Sequence, residues 1–275
     1  MKKSSLVLAL VCILTNSFAQ YGFDLIDSAT RSFYSGDTNA TIKYLKRYSD
    51  KYPDNANTLL ANHRLGEFYA QEKDYQAALT LLTSSLTLEP KIAFVSKDTD
   101  GCKLFERNDF SSAKADICVT LSNLHQRLGD NAKALDYLNL ADNEYLPSYG
   151  GCANGMIMYK TYLSLKFADF YLTTGDTTKA INRLLEYFMS GEYYSLQVAQ
   201  KLKDLLQYKY SQKQIEAEIE KAIATIRLNK KFEDGATVSV YSFTLFGHTR
   251  RLPFDKLKEN KKYLRKNESL NLLKS

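Results

Sequence analysis

Leu59–Pro90 reads LLANHRLGEFYAQEKDYQAALTLLTSSLTLEP, and this stretch decides the fold. Leu65, Gly66 and Tyr69 fall on one face of a first short helix, and Ala78, Leu82 and Ser85 on one face of a second. Two helices approach to about 8–10 Å only where small side chains sit at the crossing. Gly66 and Ala78 supply them. Pro90 stops the second helix. The pattern predicts two helices folded against each other.

The same register recurs along the chain, starting at Gly22, Leu59, Ala115, Thr161 and Leu196. The first crossing position reads Ala29, Gly66, Ser122, Ala168 and Lys203, and the second Thr41, Ala78, Ala134, Ala180 and Ile215. A large apolar residue follows at Leu45, Leu82, Leu138, Leu184 and Ile219. Gly36-Asp37, Gly129-Asp130 and Gly175-Asp176 occupy one equivalent turn, where Gly ends a helix and Asp starts the next. Ser211 with Gln214 makes a capping box. The starts are unevenly spaced, so insertions at 91–112 and 143–156 follow the second and third units.

With Gly66 at the eighth position, Tyr69 at the eleventh, Ala78 at the twentieth, Leu82 at the twenty-fourth and Pro90 near the thirty-second, the stretch resembles the tetratricopeptide repeat (TPR) family, a helix–turn–helix unit of about 34 residues. The resemblance covers roughly Gly22 to Arg227. It implies an all-α fold, an α-solenoid of about five TPR-like helix hairpins. The fifth unit departs at Lys203 and Ile215 and reads as a terminal capping hairpin. The family is a scaffold for many partners, so the resemblance implies a protein or peptide partner without naming it.

By the same resemblance, the concave groove is lined by Phe23, Phe33 and Tyr34 in the first unit, His63 and Glu67 in the second, Asn123 and Arg127 in the third, and Tyr162 and Asp169 in the fourth. These nine are the candidate partner-binding residues. The groove is aromatic toward its first end and polar in the middle. For the aromatic positions, packing within the array is the competing reading. No array of basic residues is present to clamp a terminal carboxylate.

The N-terminus, MKKSSLVLALVCILTNSFAQ, has Lys2 and Lys3 ahead of a short apolar run from Leu6 to Leu14, then small residues at Ser17 and Ala19. This is the pattern of a secretory signal peptide, residues 1–19. The apolar run is too short to span ~30 Å of hydrocarbon. Cys12 lies inside that run, and Val11 before it fits a lipidation site poorly. The expected location is therefore periplasmic or secreted. Cysteines that remain after cleavage are Cys102, Cys118 and Cys152. Cys118 sits at a helix packing position and reads as a buried free thiol. Cys102 and Cys152 lie in the two insertions, and an oxidising compartment predicts a bond between them. Closing a loop of ~50 residues contributes roughly 3–4 kcal/mol. Cys102–Cys118 is the rival pairing.

The composition suits a repeat array: 44% hydrophobic, 25% charged, 20 Tyr, 4 Pro and no Trp. The helical repeat domain is expected over 20–228, followed by a different segment at 229–275. There Thr237–Phe246 alternates like a strand, Gly247-His248 turns, and Thr249–Leu252 returns, giving a small C-terminal β-hairpin. A lone hairpin is marginal in water, so it is expected to pack on the last helices as a cap, with pairing to another chain or receipt of a partner strand as the alternatives. From Gly247 onward the chain has nine Lys/Arg and three acids, a basic tail suited to an anionic surface such as a peripheral membrane contact. Nucleic acid is not an expected partner of an exported chain.

No catalytic constellation is evident. The sequence has 3 His, no GxSxG, no HExxH and no phosphate loop. His63 and Glu67 are four residues apart, a spacing open to acid–base work and equally to chance. His125 stands in place of the repeat aromatic and reads as a core residue. Asp98, Asp100 and Gly101 lack the later ligands of a calcium loop. The expectation is a non-catalytic binding protein, an adaptor or assembly factor of the cell envelope, with no cofactor or metal. The alternatives are a scaffold or immunity-type inhibitor acting through the insertions, and an enzyme of unknown class.

Overall fold

The computed structural model describes residues 22–91, 112–146, 153–191, 194–233 and 236–275. The signal peptide, Cys102, Cys152 and most of the first insertion lie outside the described residues, as do 147–152 of the second. The chain divides into two compact units, residues 1–147 and 148–275.

Among the described residues, the first unit contains three helix pairs: α1 (Phe23–Tyr34) with α2 (Thr38–Lys51), α3 (Asn57–Gln71) with α4 (Tyr75–Leu86), and α5 (Ala113–Arg127) with α6 (Asn131–Asn143). Short turns with one chemistry join the pairs. Asp37, Asp74 and Asp130 accept hydrogen bonds from the backbone N–H of Ala40, Ala77 and Lys133 at 2.9, 3.1 and 3.1 Å, capping the second helix of each pair. The residue before each cap is left-handed: Gly36, Lys73 and Gly129, with φ of 78°, 65° and 80°. Lys73 does this without the freedom glycine has there.

Burial follows the crossing pattern. Ala29, Thr41, Leu45, Ala78, Leu82, Ser122, Ala134 and Leu138 are all buried. Gly66 allows a close approach, since a Cβ there would lie 2.5 Å from Cδ2 of Leu82. Beside it, Asn62 Nδ2 donates to Ser85 Oγ at 2.9 Å, a buried polar contact across the two helices. Leu25, Ile26, Leu45 and Tyr48 pack with Ala61, Leu65 and Phe68 in one cluster. A second cluster joins Leu59, Leu60 and Leu82 to Ile117, Leu121 and Leu124, linking each pair to the next.

The second unit begins with the pair α7 (Ala153–Thr173) and α8 (Thr177–Leu185), closed in the same way by buried Ala168, Ala180 and Leu184. Asp176 caps α8 through Lys179 N–H at 2.9 Å. Then follow α9 (Ser195–Gln207), α10 (Gln212–Ala224), strands β1 (Arg227–Glu233), β2 (Ala236–Leu245) and β3 (His248–Arg251), and helices α11 (Leu257–Lys266) and α12 (Glu268–Lys274). The expected capping box at Ser211 and Gln214 is present. The fifth pair is assembled differently from the others. α9 packs against α8 and α12, and α10 against α12 and β2. Lys203, partly buried, stands at the crossing position where the other pairs carry Ala, Gly or Ser.

The sheet is antiparallel in the order β1-β2-β3, pairing Leu228 with Tyr241 and Ser242 with Arg251. The sequence pattern predicts the β2–β3 hairpin and misses β1. β1 is an edge strand with the sequence RLNKKFE, and exposed Leu228 and Lys230 lack the apolar alternation of a half-buried strand. The sheet is anchored as expected of a cap: Phe243, Leu245 and Leu252 share one core with Leu184, Leu205, Ile219, Leu264 and Leu270. Among the described residues, no helix is long and apolar enough to cross a membrane.

Candidate functional site

In the first unit, α3 and α5 pack together, and a polar contact joins them beside their shared apolar cluster: His63 Nε2 and Thr120 Oγ1 are 2.8 Å apart. Burial lowers the imidazole pKa to about 4, against the smaller opposing effect of Glu67. His63 is therefore neutral at pH 7, and either tautomer satisfies the contact with the threonine hydroxyl. Glu67 Oε1 lies 3.8 Å from His63 Nε2, beyond hydrogen-bond length, while its other oxygen accepts from Arg64 Nη1 at 2.5 Å. The pair is thus an orienting contact beside an ion pair. One and two turns beyond, Asn123 and Arg127 are exposed on α5.

At the aromatic end, the structure separates the two candidates. Phe33 is half-buried, edge-on to Phe68 at 6.3 Å, and belongs to the packing between α1 and α3. Tyr34 is 56% exposed and edge-on to Phe33 at 5.8 Å. Phe23 opens α1, and its side chain lies outside those described. Nearby, Lys46 Nζ lies 5.2 Å from the centre of the Tyr69 ring.

In the second unit, Tyr162 is half-buried on α7, with its ring 5.5 Å from that of Tyr194 and Lys166 Nζ 5.2 Å above it. Asp169, one turn further on, is ion-paired with Lys201 of α9. The acid is thereby spoken for within the fold. Sequence reasoning missed Thr120, Lys166 and Lys201. Lys166 lies four residues after Tyr162 and was legible from helical spacing. Thr120 and Lys201 come from other helices and were not.

His125 is buried and stacks on Tyr137 at 5.4 Å, in keeping with a core role. Burial lowers its pKa, with Asp130 acting in the other direction. Cys118 is a free, buried thiol, and burial pushes its pKa up to about 12. Such a thiol is unreactive. Among the described residues, no group of three or more His, Cys, Asp or Glu is placed to hold a metal ion.

The tetratricopeptide repeat family profile matches residues 60–92. Among solved structures, a kinesin-light-chain-like protein of Podosopora anserina with nearly identical TPR-like repeats is 15% identical, over 68% of this chain and 86% of that one, at a TM-score of 0.45. The MamA protein is 18% identical, over 77% of this chain and 99% of that one, at 0.42. A tetratricopeptide repeat protein from Parabacteroides merdae ATCC 43184 is 18% identical, over 74% and 80%, at 0.33. No curated protein matches the chain.

Proposed function

We propose that this tetratricopeptide-repeat chain is a non-catalytic adaptor or assembly factor that binds a protein or peptide partner along the first helices of its repeats. The repeat is a scaffold for protein–protein interaction, and the finer reading rests on one observation. The His63–Thr120 contact joins α3 to α5 and leaves Glu67, Asn123 and Arg127 accessible along the same helices. These charged and amide groups offer hydrogen bonds to an extended segment, with Tyr34 as an exposed aromatic. The signal-peptide pattern at 1–19 supports export, and hence a partner in the periplasm or outside the cell.

The test is affinity capture of the tagged protein from its own cell envelope, beside a Glu67→Lys/Arg127→Glu variant. Arg127 is exposed, and Glu67→Lys gives up the ion pair with Arg64, so the thermal midpoint of the variant is measured beside the capture to check that it is folded. A partner held by the parent protein and lost by the variant supports the reading. A partner that ignores both substitutions, or none at all, overturns it. In the first case, deleting residues 92–111 tests the insertion-mediated inhibitor next.

A further inference from the structure

The second unit contains a cleft of about 880 Å³ between the start of α9 and the α11–α12 elbow. Its size is that of a site for a compact ligand or a few residues of peptide. The apolar wall is Leu196, Phe254 and Tyr263. Leu196 is 46% exposed and Phe254 40%, so both offer apolar surface to whatever enters the cleft.

The wall is held rather than loose. Asn260 is fully buried on α11, its Nδ2 donating to the Phe254 carbonyl at 2.7 Å and its Oδ1 accepting from the Phe254 N–H at 3.1 Å. Both backbone polar groups of Phe254 are thus fixed by one side chain. The Phe254 ring then stands edge-on to Tyr263 at 5.8 Å. A wall fixed in advance costs a ligand little ordering entropy.

The charge in the cleft is unevenly used. Of the two acids in the cleft, Glu259 is ion-paired with Lys256 at 3.5 Å, which leaves Glu268, exposed in the first turn of α12, as the one acid facing the lysines. Lys262 and Lys266, four residues apart on one face of α11, are exposed and make no ion pair among the described residues. We infer that the cleft docks an acidic peptide segment with a bulky apolar side chain, the apolar group against Leu196, Phe254 and Tyr263 and the carboxylates on Lys262 and Lys266. A recessed wall suits an inserted segment better than a flat lipid surface. The inference uses none of the groove residues and stands or falls apart from them.

The test is fluorescence anisotropy of the full exported chain with a labelled peptide of alternating Asp and Glu around a Leu-Phe pair, and a Lys-for-acid peptide as control. The acidic peptide is expected to bind and the basic one not. Affinity is expected to fall at least about tenfold in Lys262→Glu/Lys266→Glu, where close charge pairs become repulsive. A fall of about fivefold or more is expected in Leu196→Ser, on a different helix. An unchanged thermal midpoint checks that each variant is folded. Equal binding of both peptides, no binding, or binding lost in Glu67→Lys/Arg127→Glu but kept in the cleft variants would overturn the inference. So would Lys262- and Lys266-dependent binding to phosphatidylglycerol vesicles in place of the peptide.

Discussion

The α3–α4 pair and the α9–α10 pair start from one sequence register and end in different packings. In the first, Gly66 lets Leu82 come within the space a Cβ would need. In the second, Lys203 holds the equivalent place, partly buried, its Nζ 3.3 Å from Ser275 Oγ at the far end of the chain. α12 then packs against both α9 and α10, bringing Leu270 and Leu273 into their core. The α12 end is pinned by Gln212 Nε2 on the Leu273 carbonyl at 3.1 Å and by Lys274 on Glu220 at 2.5 Å. The pair with glycine at its crossing closes on itself, and the pair with Lys203 there takes α12 as a shared neighbour.

The sharpest way to break that contrast is a matched pair of substitutions. Gly66→Val is expected to cost at least about 3 kcal/mol, the upper range of overpacking, because buried Leu82 has nowhere to go. Lys203→Val is expected to change stability by less than about 1 kcal/mol, as at ordinary partly exposed sites. Urea unfolding measures both, and equal losses would refute the crossing argument.

Acid should weaken the first unit in particular. The His63 pKa falls from 6.5 unfolded to about 4 folded, so the unfolded chain binds more protons between those values and stability declines as pH drops through that window. At about 1.4 kcal/mol per unit, about 3 kcal/mol is lost by pH 4. The lowered pKa of His125 acts in the same direction. Melts of parent and His63→Gln proteins over this range check it: the variant should show the shallower decline.

The second unit depends on a different device. Asn260→Ala strands the two backbone groups of Phe254 and is expected to cost about 2 kcal/mol. Hydrogen exchange at the Phe254 amide should quicken at the same time, and an unchanged rate would show the clamp to be incidental. The smallest effect is a gain. Lys73→Gly relieves the left-handed φ of 65° and should stabilise by about 1 kcal/mol, read as a higher thermal midpoint. No gain would mean that Lys73 makes compensating contacts.

The helix pairs were legible because their determinants are local. A small residue at the crossing, Gly before Asp at the turn, and Leu four residues after Ala repeat within one helix or its neighbour. The candidate groove was legible only as a set of positions. Its residues proved to have different duties: Phe33 packs against Phe68, Asp169 is neutralised by Lys201, and Asn123 and Arg127 remain exposed. Those outcomes depend on partners 32 or more residues away, which no helical period encodes.

By itself the sequence determined the repeat register, the caps, the buried free Cys118 and the β2–β3 hairpin, since each follows from residues a few positions apart. Only the tertiary structure decided that β1 joins the sheet, that α12 completes the fifth pair, that His63 joins α3 to α5 through Thr120, and that Asn260 holds Phe254 at the mouth of a cleft. The physical reason is common to all four. An edge strand, an elbow or a buried amide is stabilised by groups that the folded chain brings together, and its own residues carry little sign of them.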